Sequence, residues 1–174
     1  MTHVALIGMP GSGKSSTALA LATESGLAHR DLDTVVAERT GATPSEIIRT
    51  EGESAFRSIE MDTLADVLAG EEAIIACGGG IVVTEGCRQL LRRPGVVAVW
   101  LTVMASTAQA RLAASGQDRP LLDDPAAYDR LWHERRRHYL SVADVVVATD
   151  ARSPAHVAHV IAARLIPDAG VAAS

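Results

Sequence analysis

The sequence predicts an α/β fold in which one parallel sheet is covered by helices on both faces, and three observations carry the prediction. Short β-branched runs alternate with longer segments of helical period along nearly all of the 174 residues, the pattern of β-α crossovers rather than hairpins. All but the weakest of the runs are mostly apolar, as strands buried on both faces must be. A glycine-rich turn follows the first run directly and opens the first helical segment.

Taken in order, His3 to Ile7, Ala73 to Cys77, Val96 to Thr102 and Asp144 to Ala148 read as buried strands, with Ala28 to Asp31 a weaker fifth. Between them lie helical segments at Lys14 to Ser25, Asp33 to Thr40, Glu53 to Ala69, Glu85 to Arg93, Ser106 to Ser115, Pro125 to Leu140 and Pro154 to Ile166. Thr43-Pro44-Ser45-Glu46 supplies an N-cap, a proline at the first helical position and the glutamate of a capping box, so a further helix starts there. Ser153-Pro154 repeats the cap and proline. In the last helix Val157, Val160, Ile161 and Leu165 form one apolar stripe that docks on the sheet. The stretch from Gly116 to Pro125 reads as an exposed mobile loop, and the tail from residue 167 as frayed.

Composition narrows the function. With 48% hydrophobic and 21% charged residues the chain is globular and long enough for one core. A net charge of -5 argues against a nucleic-acid partner. Apolar runs such as Val96 to Leu101 fall short of the roughly 18 to 20 residues that span a bilayer, so no membrane partner is expected. The N-terminal MTHVALIGMPGSGKSS lacks the basic region of an export signal, and two cysteines, Cys77 and Cys87, fit neither a disulfide framework nor a zinc spacing. A cytoplasmic protein is the expectation. His156 and His159 share a helix face with no third ligand in view, so no transition-metal site is expected.

Gly8-Met9-Pro10-Gly11-Ser12-Gly13-Lys14-Ser15 is G-x-x-x-x-G-K-S, placed between a strand and a helix. The pattern arises by chance in fewer than about one chain in a hundred of this length. Its glycines turn backbone N–H groups toward an anion, the helix N-terminus adds positive potential, Lys14 bridges β- and γ-phosphates, and the Ser15 hydroxyl is a ligand for Mg²⁺. The 16 basic residues are fifteen arginines and this one lysine, which marks Lys14 as a position where a compact ammonium is needed. The sequence contains no asparagine and no D-x-x-G, which excludes a guanine-reading switch. The strand ending at Cys77 runs into glycines rather than the acid of an ATP-driven motor, leaving phosphoryl transfer to a small acceptor.

Several residues are candidates for the acceptor side. Asp31 and Asp33 end the second strand; alternate strand residues share a face about 6.6 Å apart, so one carboxylate can serve Mg²⁺ and the other an acceptor hydroxyl. A surface pair capping the next helix explains the same residues, and the pair alone decides nothing. Arg57 interrupts a partly apolar helix face, with Glu60 three residues on to orient it, which suits an anionic substrate group; a solvated ion pair is the plainer reading. Gly78-Gly79-Gly80 after a buried strand allow bare backbone against a ligand, or simply a flexible turn. Arg119, beside Pro120 in the loop-like stretch, is a candidate lid residue closing over the γ-phosphate. Glu134-Arg135-Arg136-Arg137-His138 reads first as a solvated helical face.

Together these motifs resemble the shikimate kinase family. The resemblance runs from residue 3 to about residue 165 and rests on the G-M-P-G-S-G-K-S loop, Asp31 and Asp33, R-T-G at 39–41, G-E-x-x-F-R-x-x-E from Gly52 to Glu60, I-I-A-C-G-G-G-I-V from Ile74 to Val82, R-P-L-L at 119–122 and an arginine before Tyr139. The P-loop alone is shared with many unrelated enzymes, whereas the arginine–glutamate helix followed by an apolar strand and three glycines is family-specific.

The resemblance implies a three-layer P-loop fold like that of nucleoside monophosphate kinases, with a five-stranded parallel sheet in the order 2-3-1-4-5. It implies one domain over residues 1–166, with substrate-binding helices at about 33–62, a lid at about 112–124 and a flexible tail at 167–174. The implied reaction moves the γ-phosphoryl group of ATP, with Mg²⁺, to the 3-hydroxyl of shikimate in the pathway to aromatic amino acids, and a monomer is expected. Gly11, Ser12, Gly13, Lys14, Ser15 and Ser16 would hold the phosphates, Ser15 and Asp31 the metal, Arg111 and Pro154 the adenine, and Arg119 would swing in with the lid. Asp33 would position the accepting hydroxyl, Gly78, Gly79 and Gly80 would touch the ring, and Arg57 and Arg135 would clamp the carboxylate. Lys14, Asp33 and Arg119 are thereby the implied catalytic residues. Two departures stand out: Ile48 occupies a position where many members carry phenylalanine, and the second clamp falls on Arg135 or on its neighbour Arg136. A kinase for another small hydroxylated acid such as gluconate, and a non-catalytic nucleotide-binding module, are the competing readings.

Overall fold

In the computed structural model, which describes residues 2–115 and 125–165, five strands form one parallel sheet in the order β2-β3-β1-β4-β5. The elements along the chain are β1 (His3–Ile7), α1 (Lys14–Ser25), β2 (Ala28–Asp31), α2 (Leu32–Thr40), α3 (Pro44–Glu51), α4 (Glu53–Ala69) and β3 (Ala73–Ala76). A 3-10 turn (Ile81–Val83), α5 (Glu85–Leu91), β4 (Val96–Thr102), α6 (Ala105–Ser115), α7 (Pro125–Val142), β5 (Val145–Ala148) and α8 (Pro154–Leu165) complete it.

β1 is the central strand, and its pairing shows why it reads as an unbroken apolar run. Val4 pairs with Ile74 of β3 and Val97 of β4, and Leu6 with Ala76 and Val99, so the strand has neighbours on both edges. Its alternate residues enter opposite cores: Ala5 and Ile7 pack in one with Leu64, Leu91 and Tyr139, while Val4 and Leu6 pack in the other with Leu21, Val157 and Ile161. Both faces are therefore closed, by α4, α5 and α7 on one side and by α1 and α8 on the other. The predicted apolar stripe of α8 does dock here, with Val160 and Leu165 at its margin.

A third, smaller cluster of Val36, Ile47 and Phe56 ties α2 and α3 to α4. Burying each such side chain contributes about 1.5–3 kcal/mol, so three of them attach the α2–α3 arm without merging it with the main core. The start of α3 is the predicted capping box: Glu46 N donates to Thr43 Oγ1 at 3.3 Å and Thr43 N donates to Glu46 Oε2 at 2.7 Å, with Pro44 in the first helical turn. The cap of α8 forms as well, His156 N donating to Ser153 Oγ at 3.2 Å.

Two local expectations need correction. Asp31 and Asp33 are not alternate residues of one strand: the strand ends at Asp31, whose side chain caps α2 by accepting from Asp33 N at 3.1 Å, and Asp33 lies in the first turn of that helix. The strand into the glycines ends at Ala76, and the chain after them folds into the 3-10 turn, for which three consecutive glycines give no periodic signal. Of the lid expected at about 112–124, residues 112–115 belong to α6 and the rest lie outside the described residues; of the mobile loop expected from Gly116 to Pro125, only Pro125, which opens α7, is described, and the frayed tail expected from residue 167 lies outside them.

Candidate active site

The sheet order places a reversal beside β1: one crossover leads out to β3, another to β4. The chain segments leaving the carboxyl ends of β1 and β3 therefore face each other, which is where open α/β sheets bind ligands. The turn from Gly8 to Gly13 leaves β1, and Gly78–Gly80 leave β3.

The first of these turns is built as an anion cradle. Gly11 sits at φ +77°, and a Cβ there would lie 2.7 Å from the Ala108 carbonyl oxygen, so both backbone angle and space demand glycine. Gly13 caps α1, which puts Lys14 and Ser15 in its first turn, at the positive end of the helix. Ser12 is buried behind the loop. The Lys14 ammonium donates to the Gly8 and Met9 carbonyls, each at 3.0 Å, and so lies folded over the loop. Ser15 Oγ donates to Asp31 Oδ2 at 2.7 Å, which brings a hydroxyl and a carboxylate from two elements to one point. A cavity of about 340 Å³ opens here, lined among others by Lys14, Ser15, Ser16, Asp31, Asp33 and Gly79.

These residues fit a magnesium nucleotide. Two oxygen donors and no dedicated cage suit a cation that keeps several waters and takes its remaining ligands from phosphates. Among the described residues no group of three or more His, Cys, Asp or Glu side chains offers an alternative metal site. Arg111 closes one side: it donates to the Gly11 carbonyl at 3.2 Å, to Thr149 Oγ1 at 3.0 Å and to the Thr149 carbonyl at 2.8 Å. It thus joins the cradle to the segment after β5 that leads to Pro154, which is exposed at the start of α8.

A second cavity of about 890 Å³ lies beside α3, α4 and α7, with Ile48, Glu53, Arg57, Val83, Leu131 and Arg135 in its lining. Arg57 projects from α4 between two carboxylates, donating to Glu60 Oε2 at 2.7 Å and to Glu53 Oε1 at 3.0 Å, with its guanidinium carbon 5.2 Å from the Phe56 ring centroid. Burial opposes the Arg57 charge, but the attraction of Glu60 and Glu53 outweighs it, and the pKa lies above the ordinary arginine value. Glu60 is the more deeply buried partner, and burial pushes its carboxyl above the usual range although Arg57 and Arg135 pull it down. Glu60 Oε1 and Arg57 Nε are buried with no hydrogen-bond partner among the described residues.

Of the three consecutive arginines of α7, Arg135 is the buried one and Arg136 and Arg137 are exposed. Arg135 lines the second cavity together with Arg57, Arg49 and the exposed Arg137, while Arg136 does not line it. Arg135 Nη1 donates to the Gly79 carbonyl at 3.1 Å, and the buried Tyr139 hydroxyl donates to the same oxygen at 2.6 Å.

Gly78–Gly80 separate the two cavities. Gly79 faces the phosphate cavity while its carbonyl is held by Arg135 from the other. A Cβ on Gly78 would stand 2.7 Å from Glu60 Oε1 and 3.2 Å from Asp33 Oδ1, so both carboxylates converge on this glycine. A Cβ on Gly80 would collide with the Arg57 guanidinium. Bare backbone is needed here because charged side chains pack directly on it.

Most of the expected site residues thus assemble around two adjoining cavities. Arg119 lies outside the described residues. Missing from the sequence reading were Glu53 as a second anchor of Arg57, the burial of Glu60, and the Tyr139 bond to Gly79; the i,i+4 spacing of Glu53 and Arg57 was the available signal for the first. His159 Nδ1 lies 3.1 Å from Glu24 Oε1 on the surface.

Comparisons with known proteins show the family. The family model described as shikimate kinase matches residues 10–166. The chain belongs to the shikimate kinase family. The shikimate kinase of Moorella thermoacetica is 39% identical over 160 residues, 91% of each chain. Shikimate kinase from Acinetobacter baumannii in complex with shikimate superposes with a TM-score of 0.90 at 25% identity, covering 96% of this chain and 94% of that one. Shikimate kinase from Aquifex aeolicus superposes with a TM-score of 0.81 at 28% identity, covering 94% and 96%. Family membership makes this chain an ATP-dependent small-molecule kinase, and ATP with Mg²⁺ is the cofactor pair of the family. No helix among the described residues is long and apolar enough to cross a membrane.

Proposed function

We propose that this chain transfers the γ-phosphoryl group of MgATP to the 3-hydroxyl of shikimate, giving shikimate 3-phosphate and ADP, and that it does so as a cytoplasmic monomer with no nucleic-acid or membrane partner. The observation that carries the reading is the pair of guanidiniums, Arg57 and Arg135, lining one cavity that abuts the phosphate cradle across Gly79. Of the four arginines that line this cavity, Arg57 is held by Glu60 and Glu53 and Arg135 by the Gly79 carbonyl, and a fixed pair of guanidiniums suits a single carboxylate on a small ring.

In this reading the backbone N–H groups of Gly11, Ser12 and Gly13, with Ser16, hold the phosphates, and Lys14 leaves its loop carbonyls to follow the transferring group. Ser15 and Asp31 hold the metal, which supplies charge neutralisation when bound. Arg111 and Pro154 border the adenine. Asp33 holds the accepting hydroxyl, and the proton released as the new oxygen–phosphorus bond forms and the bond to ADP breaks passes toward that carboxylate. Gly78 to Gly80 shape the ring site, and α2, α3 and the first half of α4 form the acceptor side. Arg119 is assigned to the γ-phosphate on the family resemblance. Catalysis is then alignment and charge stabilisation, as in other phosphoryl transfers.

The test is ADP release by MgATP with shikimate, with gluconate and with no acceptor. Turnover with shikimate alone supports the reading; faster turnover with gluconate, or equal release without an acceptor, overturns it.

A further inference from the structure

The acceptor site depends on a turn whose Ile81 and Val82 side chains are fully buried in the main core but whose last carbonyls take their partners from outside it. The 3-10 turn at Ile81–Val83 has two backbone bonds of its own, Ile81 N to the Gly78 carbonyl at 3.1 Å and Val83 N to the Gly80 carbonyl at 2.9 Å. So short a 3-10 segment leaves its last carbonyls without partners of its own. Yet it carries three fixtures of the acceptor cavity: the Gly79 carbonyl that anchors Arg135, the Gly80 backbone against which Arg57 rests, and the Val83 side chain in the wall.

The missing partners come from Arg88. Its side chain, projecting from α5, is 11% exposed, and Nη1 donates to the Val82 carbonyl and, at 2.8 Å, to the Val83 carbonyl. Nε donates to Glu85 Oε2 at 3.0 Å, and Nη2 pairs with the same carboxylate, so the buried charge is compensated from the side away from the turn. The helix that carries it is anchored by Cys87, Leu90 and Leu91 in the main core. Arg88 lines neither cavity, so any effect it has on the acceptor passes through the turn.

We propose that Arg88 is a positioning residue for the acceptor, acting through the Gly78–Val83 turn to keep Arg57, Arg135 and Val83 in register. This rests on the acceptor reading above. Both carbonyls are met by charge-assisted bonds from one nitrogen, Nη1, while Nε and Nη2 grip Glu85 and fix the plane of the group; removal of the guanidinium frees the end of the turn while the phosphate cradle, anchored on β1 and α1, keeps its own contacts.

The test compares wild type, Arg88→Lys and Arg88→Ala by amide hydrogen exchange over residues 78–84 and by steady-state kinetics with each substrate varied. Expected are faster exchange in that segment and a rise of about tenfold or more in KM for shikimate in Arg88→Ala, KM for ATP within twofold of wild type, and partial recovery in Arg88→Lys. Should Arg88→Ala fail to fold, Arg88→Gln, which removes the charge and the bonds of Nε and leaves only a shorter, neutral amide, carries the same comparison. Unchanged exchange at residues 78–84 overturns the role whatever the acceptor is. Faster exchange with both KM values unchanged also overturns it, leaving Arg88 a staple of α5. Absence of wild-type turnover with shikimate would instead count against the substrate reading, and the exchange result would still decide whether Arg88 holds the turn.

Discussion

Arg57, in the wall of the acceptor cavity, and Glu60, behind it, form an ion pair of 2.7 Å, and the Glu60 side chain is only 2% exposed. Pairs this buried recover little stability, because desolvation offsets most of the attraction. Their effect is orientation: Glu60 and Glu53 hold the guanidinium against Gly80, facing the space where an anion would sit. Arg57→Ala is expected to lower kcat/KM for shikimate by the equivalent of about 2–5 kcal/mol, the range for truncating one partner of a desolvated charge pair. Steady-state kinetics checks this, and an unchanged kcat/KM would remove Arg57 from the site.

The same pair makes stability depend on pH. Burial raises the folded-state pKa of Glu60 above its ordinary value, so the native state binds a proton that the unfolded state releases earlier. The contribution of Glu60 is therefore fully favourable below the ordinary glutamate range and is lost as pH rises through the raised folded value. Relative to Glu60→Gln, wild-type stability is expected to fall across that window. In Arg57→Ala the window should extend to higher pH, since the cation that pulls the pKa down is gone. Denaturant titrations at stepped pH check both; a wild-type minus Glu60→Gln difference that rises with pH would contradict the assignment.

Gly80→Ala tests the close packing of backbone on cation. Its methyl group has no room beside Arg57, and displacing a packed group typically costs about 1–3 kcal/mol. The expected result is a higher KM for shikimate with little change in KM for ATP. Equal loss for both substrates would mean that the turn supports the whole fold rather than the acceptor cavity.

Asp33→Asn separates proton uptake from orientation. Asp33 is in the first turn of α2 and lines the phosphate cavity. Loss of a general base is expected to lower kcat by about 10²- to 10⁴-fold and to flatten the acidic limb of the pH–rate profile. A modest loss with the limb intact would assign Asp33 to orientation alone.

Much of this was legible in the sequence, and the exceptions have physical causes. The strands of a doubly covered sheet are apolar throughout, so β1, β3 and β4 stand out without any partner information, and Thr43 and Ser153 announce helix starts by their own side chains. The P-loop is local, and its residues lie within one turn. Asp31 and Asp33 misled because a strand end that becomes a helix cap leaves the same two-residue spacing as a strand face. Arg135 was not separable from Arg136 because one residue of register on α7 decides which guanidinium meets the Gly79 carbonyl, a contact 56 residues away in sequence. The contribution of Arg88 was invisible for a related reason: its acceptors are backbone carbonyls, which carry no mark in the sequence.

The most direct measurement of the central claim is kcat/KM for shikimate against its neutral methyl ester, in wild type, Arg57→Ala and Arg135→Ala. A carboxylate gripped by both guanidiniums makes wild type prefer the acid by about 2–5 kcal/mol, with that preference shrinking sharply in each variant. An ester turned over as well as the acid by wild type, or a preference that survives both substitutions, would contradict the account.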